Sequence, residues 1–403
     1  MRIALHDFAG HPFQFQLSRA LAARGHTVRH FYFAGDTGPK GRTARDPADP
    51  ETFSIEPLQI RRPYLKSDFV GRWRNDTDYG RIAAAALLRF QPHVVISGNT
   101  PLDAQGAILR GAHSAGAAFV DWVQDFYSLA IARLLSHRFL GLGRGVAAYY
   151  MGMERGILDR SDGIVFISED FRAFAPSLAA RQADISVIPN WGALDEIEAR
   201  PKTNAWSQAH GLSDKFVFLY SGTLGLKHNP DHLLRLADAF ADRPDTVVAV
   251  AAAGLGMDRL KADLAATPRP NLVCFPLQPF DRFCDLLGSS DVLLALLEDD
   301  AGDFSVPSKI LSYLCAERPI LLSAPLTNLA SRVIEGAGAG VVTLSGSAEA
   351  FVEAARNLYE QPALRAEFAK KGRAYAVDNF DIGRVADRFE AVFERAIAAY
   401  HAH

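Results

Sequence analysis

Two successive doubly wound α/β domains are the fold class this sequence predicts, and three observations predict it. Apolar strands alternate with amphipathic helices in two runs, one ending at "VIPNW" and one restarting at Phe216. A polar stretch without periodicity, Gly192–Ser213, separates the runs. At 403 residues the chain also exceeds one ordinary core. Strand–helix–strand units close into parallel sheets with right-handed crossovers, so each run is expected to be Rossmann-like, and ligands to sit where the strands' carboxyl ends face a central cleft. The expected domains are 1–195 and 196–381, with a last helix over 382–403.

Each element has its own signal. Arg2–Phe8 reads as a strand, Phe13–Arg24 as an amphipathic helix closed by Gly25, and Thr27–Phe33 as a strand. Ala34–Lys66, rich in Gly, Pro, Arg and Asp, reads as a long loop of the kind that is functional or mobile. Helix Tyr79–Phe90, strand His93–Ser97, helix Leu102–Ala115 and strand Ala117–Val123 follow, then strand Gly163–Ile167 with Glu169 opening a helix. The second run gives strands Phe216–Tyr220, Thr246–Ala253, Asn271–Phe275, Val292–Leu297, Pro319–Leu322 and Gly340–Leu344. Helices Pro230–Phe240, Phe280–Leu287 and Ser308–Ala316 lie between them, and Ala348–Glu360, Pro362–Asn379 and Ile382–Ala399 close the chain.

Composition narrows the function. Hydrophobic residues make up 49% and charged residues 22%, as in a globular enzyme, and the net charge of −3 gives no reason to expect nucleic acid. Cys274, Cys284 and Cys315 lack metal-ligand spacing and are expected to be reduced thiols. "MRIALHDFAG" looks like a strand and glycine turn rather than a signal peptide, and no apolar run reaches the ~18 residues of a membrane span. The expected location is cytoplasmic, with room for contact at the membrane's inner face.

The strand-end loops carry the candidate chemistry. "LYSGTLGLKHNPD" puts Gly222 and Thr223 at a strand end, with Lys227 just beyond. "GDFSVPSKILSYLC" brings Ser305, Pro307, Ser308 and Lys309 to a helix entry. Unpaired N–H groups and the positive dipole end there attract an anion, so two lysines and a helix start suit a pyrophosphate without a metal. Ser308 as a simple N-cap is the bland alternative, and Asp299, Asp300 and Asp303 are expected to be solvated turn residues. "AAAGLGMDRL" offers Gly254 and Gly256, equally readable as a tight turn, while the loop around Leu277 could receive a planar base.

In the first run, Gly10 permits close approach, and His11 is placed either to act in the site or merely to serve the structure. "FVDWVQDFYSLA" brings Asp121, Gln124 and Asp125 to a strand end, with Asp125 either meeting a sugar hydroxyl or capping a helix. Basic and apolar residues interleave across Tyr127–Arg160, which suits an anionic membrane surface or a lipid-linked ligand as well as an ordinary helix face. Gln14, Gln124, Arg133, His137 and Arg138 are the candidates to meet acceptor or membrane.

Taken together, "FQLSRALAARGHTV", "ERGILDRSDGIVFISEDF", "VIPNW", "YSGTLGLKHNPD" and "SSDVLLALLEDDAGDFSVPSKILSYLCAERPIL" resemble the GT-B glycosyltransferases of family 4, a retaining group acting on nucleotide-sugars. The resemblance spans nearly the whole chain. It implies a GT-B fold, an acceptor-binding first domain, a donor-binding second domain and a final helix crossing back to the first. By the same resemblance Lys227, Ser308 and Lys309 fall on diphosphate positions, Gly222 and Thr223 beside the sugar phosphate, and Leu277 where backbone meets the base.

There are departures. Phe304 and Ser312 stand where many members carry paired glutamates, Thr223 where an arginine is usual, and Gln124 where a histidine often ends the fourth strand. The chain is more similar to a branch with a Pro-Ser-Lys loop, associated with exopolysaccharide, O-antigen and capsule units on polyprenyl-diphosphate lipids. The implied reaction moves a sugar from a UDP- or GDP-type donor to a saccharide or polyprenyl-diphosphate-linked hydroxyl, with retention and without a metal. Lys227 and Lys309 would stabilise the leaving diphosphate, with His11 and Asp125 as further catalytic candidates and Gly10 beside the donor. The alternatives are an inverting transferase with His11 as general base, a related epimerase, or a non-catalytic nucleotide-sugar binder.

Overall fold

The computed structural model of the chain describes residues 1–35, 40–62, 69–136, 142–225, 228–299 and 308–402. The chain forms two compact units, Met1–Pro189 with Ile382–His403, and Asn190–Asp381. The change of unit comes at Pro189, ahead of the expected joint, because Trp191, Ala193 and Ile197 are already buried in the second unit. Gly192 lies there against the Leu311 carbonyl and Cys315, too tightly for a Cβ.

The first unit holds a parallel sheet of β1 (Arg2–Asp7), β2 (Thr27–Phe33), β3 (Phe53–Leu58), β4 (Val94–Gly98), β5 (Ala118–Val123), β6 (Gly163–Phe166) and β7 (Ile185–Val187). Its order is β3-β2-β1-β4-β5-β6-β7. Strands such as β4 and β5 are buried along their whole length, which explains why apolar residues dominate them, with Ser97 and Asp121 as the polar exceptions. Helices α1 (Pro12–Ala23), α2 (Phe69–Phe90), α3 (Leu102–Ser114), α4 (Tyr127–Ser136) and α5 (Leu142–Arg160) connect them. Glu169 opens a 3₁₀ turn to Phe174 rather than an α-helix, with the Ser168 side chain accepting from the Asp170 N–H.

Further elements differ from the sequence reading, among them the unexpected helix Leu329–Ala337. The expected loop Ala34–Lys66 contains β3, an edge strand paired to β2 from Val28↔Phe53 to Phe33↔Leu58. Its Pro57 is tolerated because an edge strand has no ladder to complete on one side. Helix α2 also starts well before Tyr79, since buried Asn75 and Asp76 hide its inner face from any apolar periodicity.

The second unit begins with the short α6 (Ala205–Ala209), whose Asn204 and Ser207 form a capping box. Its parallel sheet comprises β8 (Phe216–Thr223), β9 (Thr246–Ala253), β10 (Leu272–Phe275), β11 (Val292–Leu296), β12 (Ile320–Ser323) and β13 (Gly340–Thr343), ordered β10-β9-β8-β11-β12-β13. Helices α7 (Asp231–Ala239), α8 (Leu255–Ala266), α9 (Phe280–Gly288), α10 (Lys309–Cys315), α11 (Leu329–Ala337), α12 (Ala348–Glu360) and α13 (Pro362–Asn379) belong to it. The last helix, α14 (Ile382–Ala402), belongs to the first unit. There Phe389 packs on Trp122 with ring centroids 4.8 Å apart, and Arg24 donates to Asp387 and Glu390 at 2.6 Å each.

Both sheets reverse direction of growth once, between β1 and β4 in the first unit and between β8 and β11 in the second. The carboxyl ends of those strand pairs are the crevices where a doubly wound sheet offers backbone groups to a ligand.

Candidate functional site

In the second unit the crevice is built around a glycine and a lysine. Strand β8 runs through Tyr220 and Ser221 into Gly222, whose φ of +114° is closed to ordinary L-residues. The buried Tyr313 hydroxyl on α10 accepts from the Ser221 N–H at 3.0 Å and lies 3.2 Å from the Ser221 carbonyl. The Tyr220 hydroxyl donates to the Thr223 carbonyl at 2.7 Å, so the strand end is fixed from both sides. Lys309, the first residue of α10, reaches back into this corner. Its Nζ lies 3.6 Å from the Tyr220 ring centroid and 3.8 Å from where a Cβ on Gly222 would sit. A cation is thereby held over an aromatic face beside a side-chain-free backbone.

The other residues singled out in this unit take varied places. Thr223 and Ser308 are exposed, and Leu277 is half-buried in the loop between β10 and α9. The Ser308 side chain does not cap α10, which removes the simple capping role for it. Gly254 and Gly256 serve packing. A Cβ on either would lie 2.8 Å from the Leu224 carbonyl, which accepts the Gly256 N–H at 2.9 Å. Lys227, Phe304, Ser305 and Pro307 lie outside the described residues. His228 Nδ1 accepts from the Gly225 N–H at 2.9 Å.

In the first unit the crevice is built around a buried carboxylate. Asp7, the last residue of β1, is fully buried and accepts from the Ala9 N–H at 3.1 Å and from the His11 N–H. Its Oδ1 is also 3.4 Å from His11 Nδ1 and from Asn99 Nδ2. Burial pushes the Asp7 carboxyl up, but the charge and hydrogen bonds of His11, with His30 behind, hold it below the usual carboxylate value. His11, one residue before α1, leaves 26% of its side chain exposed. Gly10 before it has φ +78°, and its carbonyl accepts the Gly41 N–H at 2.8 Å. The Lys40 stem passes beside Gly10, 3.5 Å from where its Cβ would be.

Beneath this lies a hydrogen-bond chain. The Tyr79 hydroxyl is 2.7 Å from His6 Nε2, and His6 Nδ1 is 2.9 Å from Ser97 Oγ. Ser97 donates to Gln105 Oε1 at 2.6 Å, and Gln105 Nε2 donates to Asp121 Oδ1 at 2.8 Å. Burial lowers His6 to about 4, and burial with nearby Glu154 raises Asp121 to about 7. Asp121 therefore points into the core rather than toward the strand-end face expected of it.

Gln14 is fully buried on α1, and neither polar atom of its amide has a partner among the described residues. Gln124 is buried at the end of β5, Asp125 is half-buried beyond it, and Arg133 on α4 is exposed. His137 and Arg138 lie outside the described residues. Asp7 and Asn99 escaped the sequence reading. The signal available for Asp7 was its place at a strand end before the Gly10 turn, and for Asn99 the "GNT" that ends a strand.

Two family models match the chain. The glycosyl transferase 4-like domain matches residues 12–191, and the glycosyl transferases group 1 domain matches residues 202–375. The chain belongs to the GT-B, family 4-like glycosyltransferases. As a member it is a transferase of the glycosyl-transferring class. A relative named for glycosyl transfer in colanic acid biosynthesis, WcaI of Escherichia coli strain K12, is 27% identical over 218 residues. That match spans 53% of this chain and 53% of WcaI, about half of each.

Among solved structures, sucrose-phosphate synthase from Thermosynechococcus elongatus superposes with a TM-score of 0.74 at 13% identity, over 99% of this chain and 100% of that one. HepE from Anabaena, in complex with UDP, gives 0.66 at 12% identity over 98% and 100%. WaaG, a glycosyltransferase involved in lipopolysaccharide biosynthesis, gives 0.65 at 17% identity over 97% and 99%. These likenesses establish the fold of this glycosyltransferase.

Proposed function

We propose that this glycosyltransferase moves a sugar from a nucleoside diphosphate-sugar of UDP or GDP type to a saccharide or polyprenyl-diphosphate-linked hydroxyl. The observation that carries the donor side is Lys309 Nζ, brought to the Gly222 backbone at the reversal point of the second sheet. HepE from Anabaena is solved with UDP and with UDP-glucose, and an Escherichia coli trehalose-6-phosphate protein with UDP-2-fluoro glucose, which favours UDP. Colanic acid biosynthesis in the name of WcaI favours a polysaccharide product.

As the glycosidic bond to the donor breaks, negative charge grows on the departing β-phosphate. Lys309 and Lys227 would offset that charge as it develops, with Ser305, Pro307 and Ser308 shaping the loop and no metal assigned a part. Gly222 and Thr223 would let the sugar phosphate approach backbone, and Leu277 would meet the base. A bond that weakens in this way while the leaving phosphate assists the acceptor hydroxyl retains configuration, so no protein base is needed. Thermal shift with UDP, GDP, ADP, dTDP and CMP tests the donor, and Lys309→Ala tests the site. A ligand at about 100 times its Kd should add about 2.7 kcal/mol to stability. A shift from one nucleotide that persists in Lys309→Ala would remove Lys309 from the site.

The Asp7–His11 contact favours one second reading, inversion with His11 as base, and the product's anomeric configuration by NMR separates the two.

At the membrane's inner face, α2 and α5 would supply the contact. Trp73 is 50% and Tyr149 58% exposed, with Arg74, Arg144 and Arg155 nearby in sequence. None of the described helices is long and apolar enough to cross a membrane. Cosedimentation with anionic vesicles should fall on replacing Trp73 and Tyr149 by serine, and undiminished binding would move the contact elsewhere.

A further inference from the structure

The loop that follows β10 is built to hold its shape. It reads Pro276-Leu277-Gln278-Pro279, and the prolines fix their own φ while restricting Phe275 and Gln278 before them to extended backbone. Pro279, at φ −63° and ψ 157°, leads straight into α9. Gln278 uses both ends of its amide inside the protein. Its Oε1 accepts from the Trp206 Nε1–H at 3.1 Å, and its Nε2 donates to the Pro276 carbonyl at 2.9 Å.

Trp206 is the fixed point for that amide. It is 4% exposed on α6, the helix closed by the Asn204 capping box, and its ring meets the edge of Phe275, the last residue of β10, with centroids 5.0 Å apart. A hydrogen bond from a buried indole to a proline-bounded loop removes freedom that the loop would otherwise lose on binding a ligand. What the loop leaves over is main chain. The Leu277 N–H and C=O have no hydrogen-bond partner among the described residues.

The position fits a donor whose phosphates lie at Lys309. The sheet order is β10-β9-β8, and the ladders set Gly222 opposite Ala252 and Phe275 opposite Ala251. The ends of β8 and β10 therefore lie at nearly the same level, two strand spacings or about 10 Å apart. A ribose and one phosphate bridge such a gap between a base and a β-phosphate. Gly254, without a side chain, follows β9 between them. Resting on the donor reading above, we infer that Trp206 and Gln278 are positioning residues that hold the Leu277 main chain as the reader of the nucleotide base. The chemistry recognised is a base edge with one hydrogen-bond donor and one acceptor side by side, as in the imide of uracil or the lactam of guanine. The Gln278 amide, turned to the protein at both ends, is a strut and not itself the reader.

Calorimetric binding of UDP, GDP and inorganic pyrophosphate to the full chain separates base from phosphates. Trp206→Phe removes the indole N–H and keeps an aromatic ring, and Gln278→Met removes the amide at similar length. Each should weaken the nucleotide that the wild type prefers by about tenfold, the usual scale for one lost hydrogen bond, and leave pyrophosphate within about twofold. The double variant should bind that nucleotide no more weakly than Gln278→Met alone, because the two residues act through one bond. Unchanged nucleotide binding in both variants overturns the inference. So does an equal loss for nucleotide and pyrophosphate, which a merely structural role would give. A wild type that binds nucleotides no better than pyrophosphate overturns base reading at this loop and leaves the phosphate site at Lys309 standing. A wild type that binds none of the three overturns the donor reading, and the inference with it.

Discussion

The reversal points of the two sheets share one topology and hold opposite chemistry. At the end of β8, backbone and cation meet: Gly222 exposes main chain and Lys309 supplies positive charge beside it. At the end of β1, a buried anion is ringed by donors: Asp7 is held by Ala9, His11 and Asn99. The parallel sheet creates the crevice in both units, and only the residues at the strand ends decide its polarity. The difference makes the first kind of crevice cationic and the second a buried carboxylate ringed by donors.

The comparison breaks most visibly at Lys309. Lys309→Ala should lower turnover by about 10²-fold or more, by analogy with a lost oxyanion donor, and steady-state assay of transfer reads it. Equal turnover in wild type and variant would mean that the second crevice does not work through charge.

Acid stability sharpens the contrast from the other side. Burial lowers His6 to about 4 and His30 to about 3 from 6.5, so the unfolded chain takes up protons that the folded one refuses. Their contribution to stability is full above 6.5 and is lost as pH falls toward 3. Asp121, raised to about 7, works the opposite way: the folded state holds its proton more tightly, and its contribution is lost as pH rises toward 7. Two histidines outweigh one aspartate between about 4 and 6.5, so the first unit should soften on acidification. Asp121→Asn removes the opposing contribution and should steepen that loss by up to about 1.4 kcal/mol per pH unit, read from denaturant midpoints across pH.

Gly222→Ala and Asn99→Gly probe the two left-handed strand ends directly, where φ is +114° and +54°. The alanine should cost about 1–3 kcal/mol, since its Cβ has ordinary room and the penalty is conformational. The glycine at Asn99 should change stability by less than about 1 kcal/mol, because it accepts the same φ. Matching costs at both sites would show that space rather than backbone conformation governs them. The smallest effect belongs to the α14 clasp. Arg24→Ala should remove about 0.5–1 kcal/mol from the first unit, as exposed ion pairs do, and the denaturant midpoint reads it.

Much of the fold was written in local pattern. Val292–Leu296 is apolar throughout because both of its faces are covered, and Val94–Gly98 is apolar up to Ser97 for the same reason. Where pattern failed, the cause was polar residues in unusual places. β3 carries Pro57 at a sheet edge, and α2 buries Asn75 and Asp76. Lys309 stood out in the sequence as a lysine at a helix start beside a strand end. His11 was legible as a candidate, and its partners were not.

By itself, then, the sequence determined two doubly wound units, the strand-end loops that bear chemistry, and a lysine poised at one of them. Periodicity and glycine placement are local properties, readable over a few residues. The tertiary structure decided which strand ends become neighbours, bringing Asn99 to Asp7 and His11 across 88 residues of chain and more. It also decided that Asp121 and Gln14 turn into the core instead of the site. Those outcomes depend on strand order and on burial, which no local window of sequence contains.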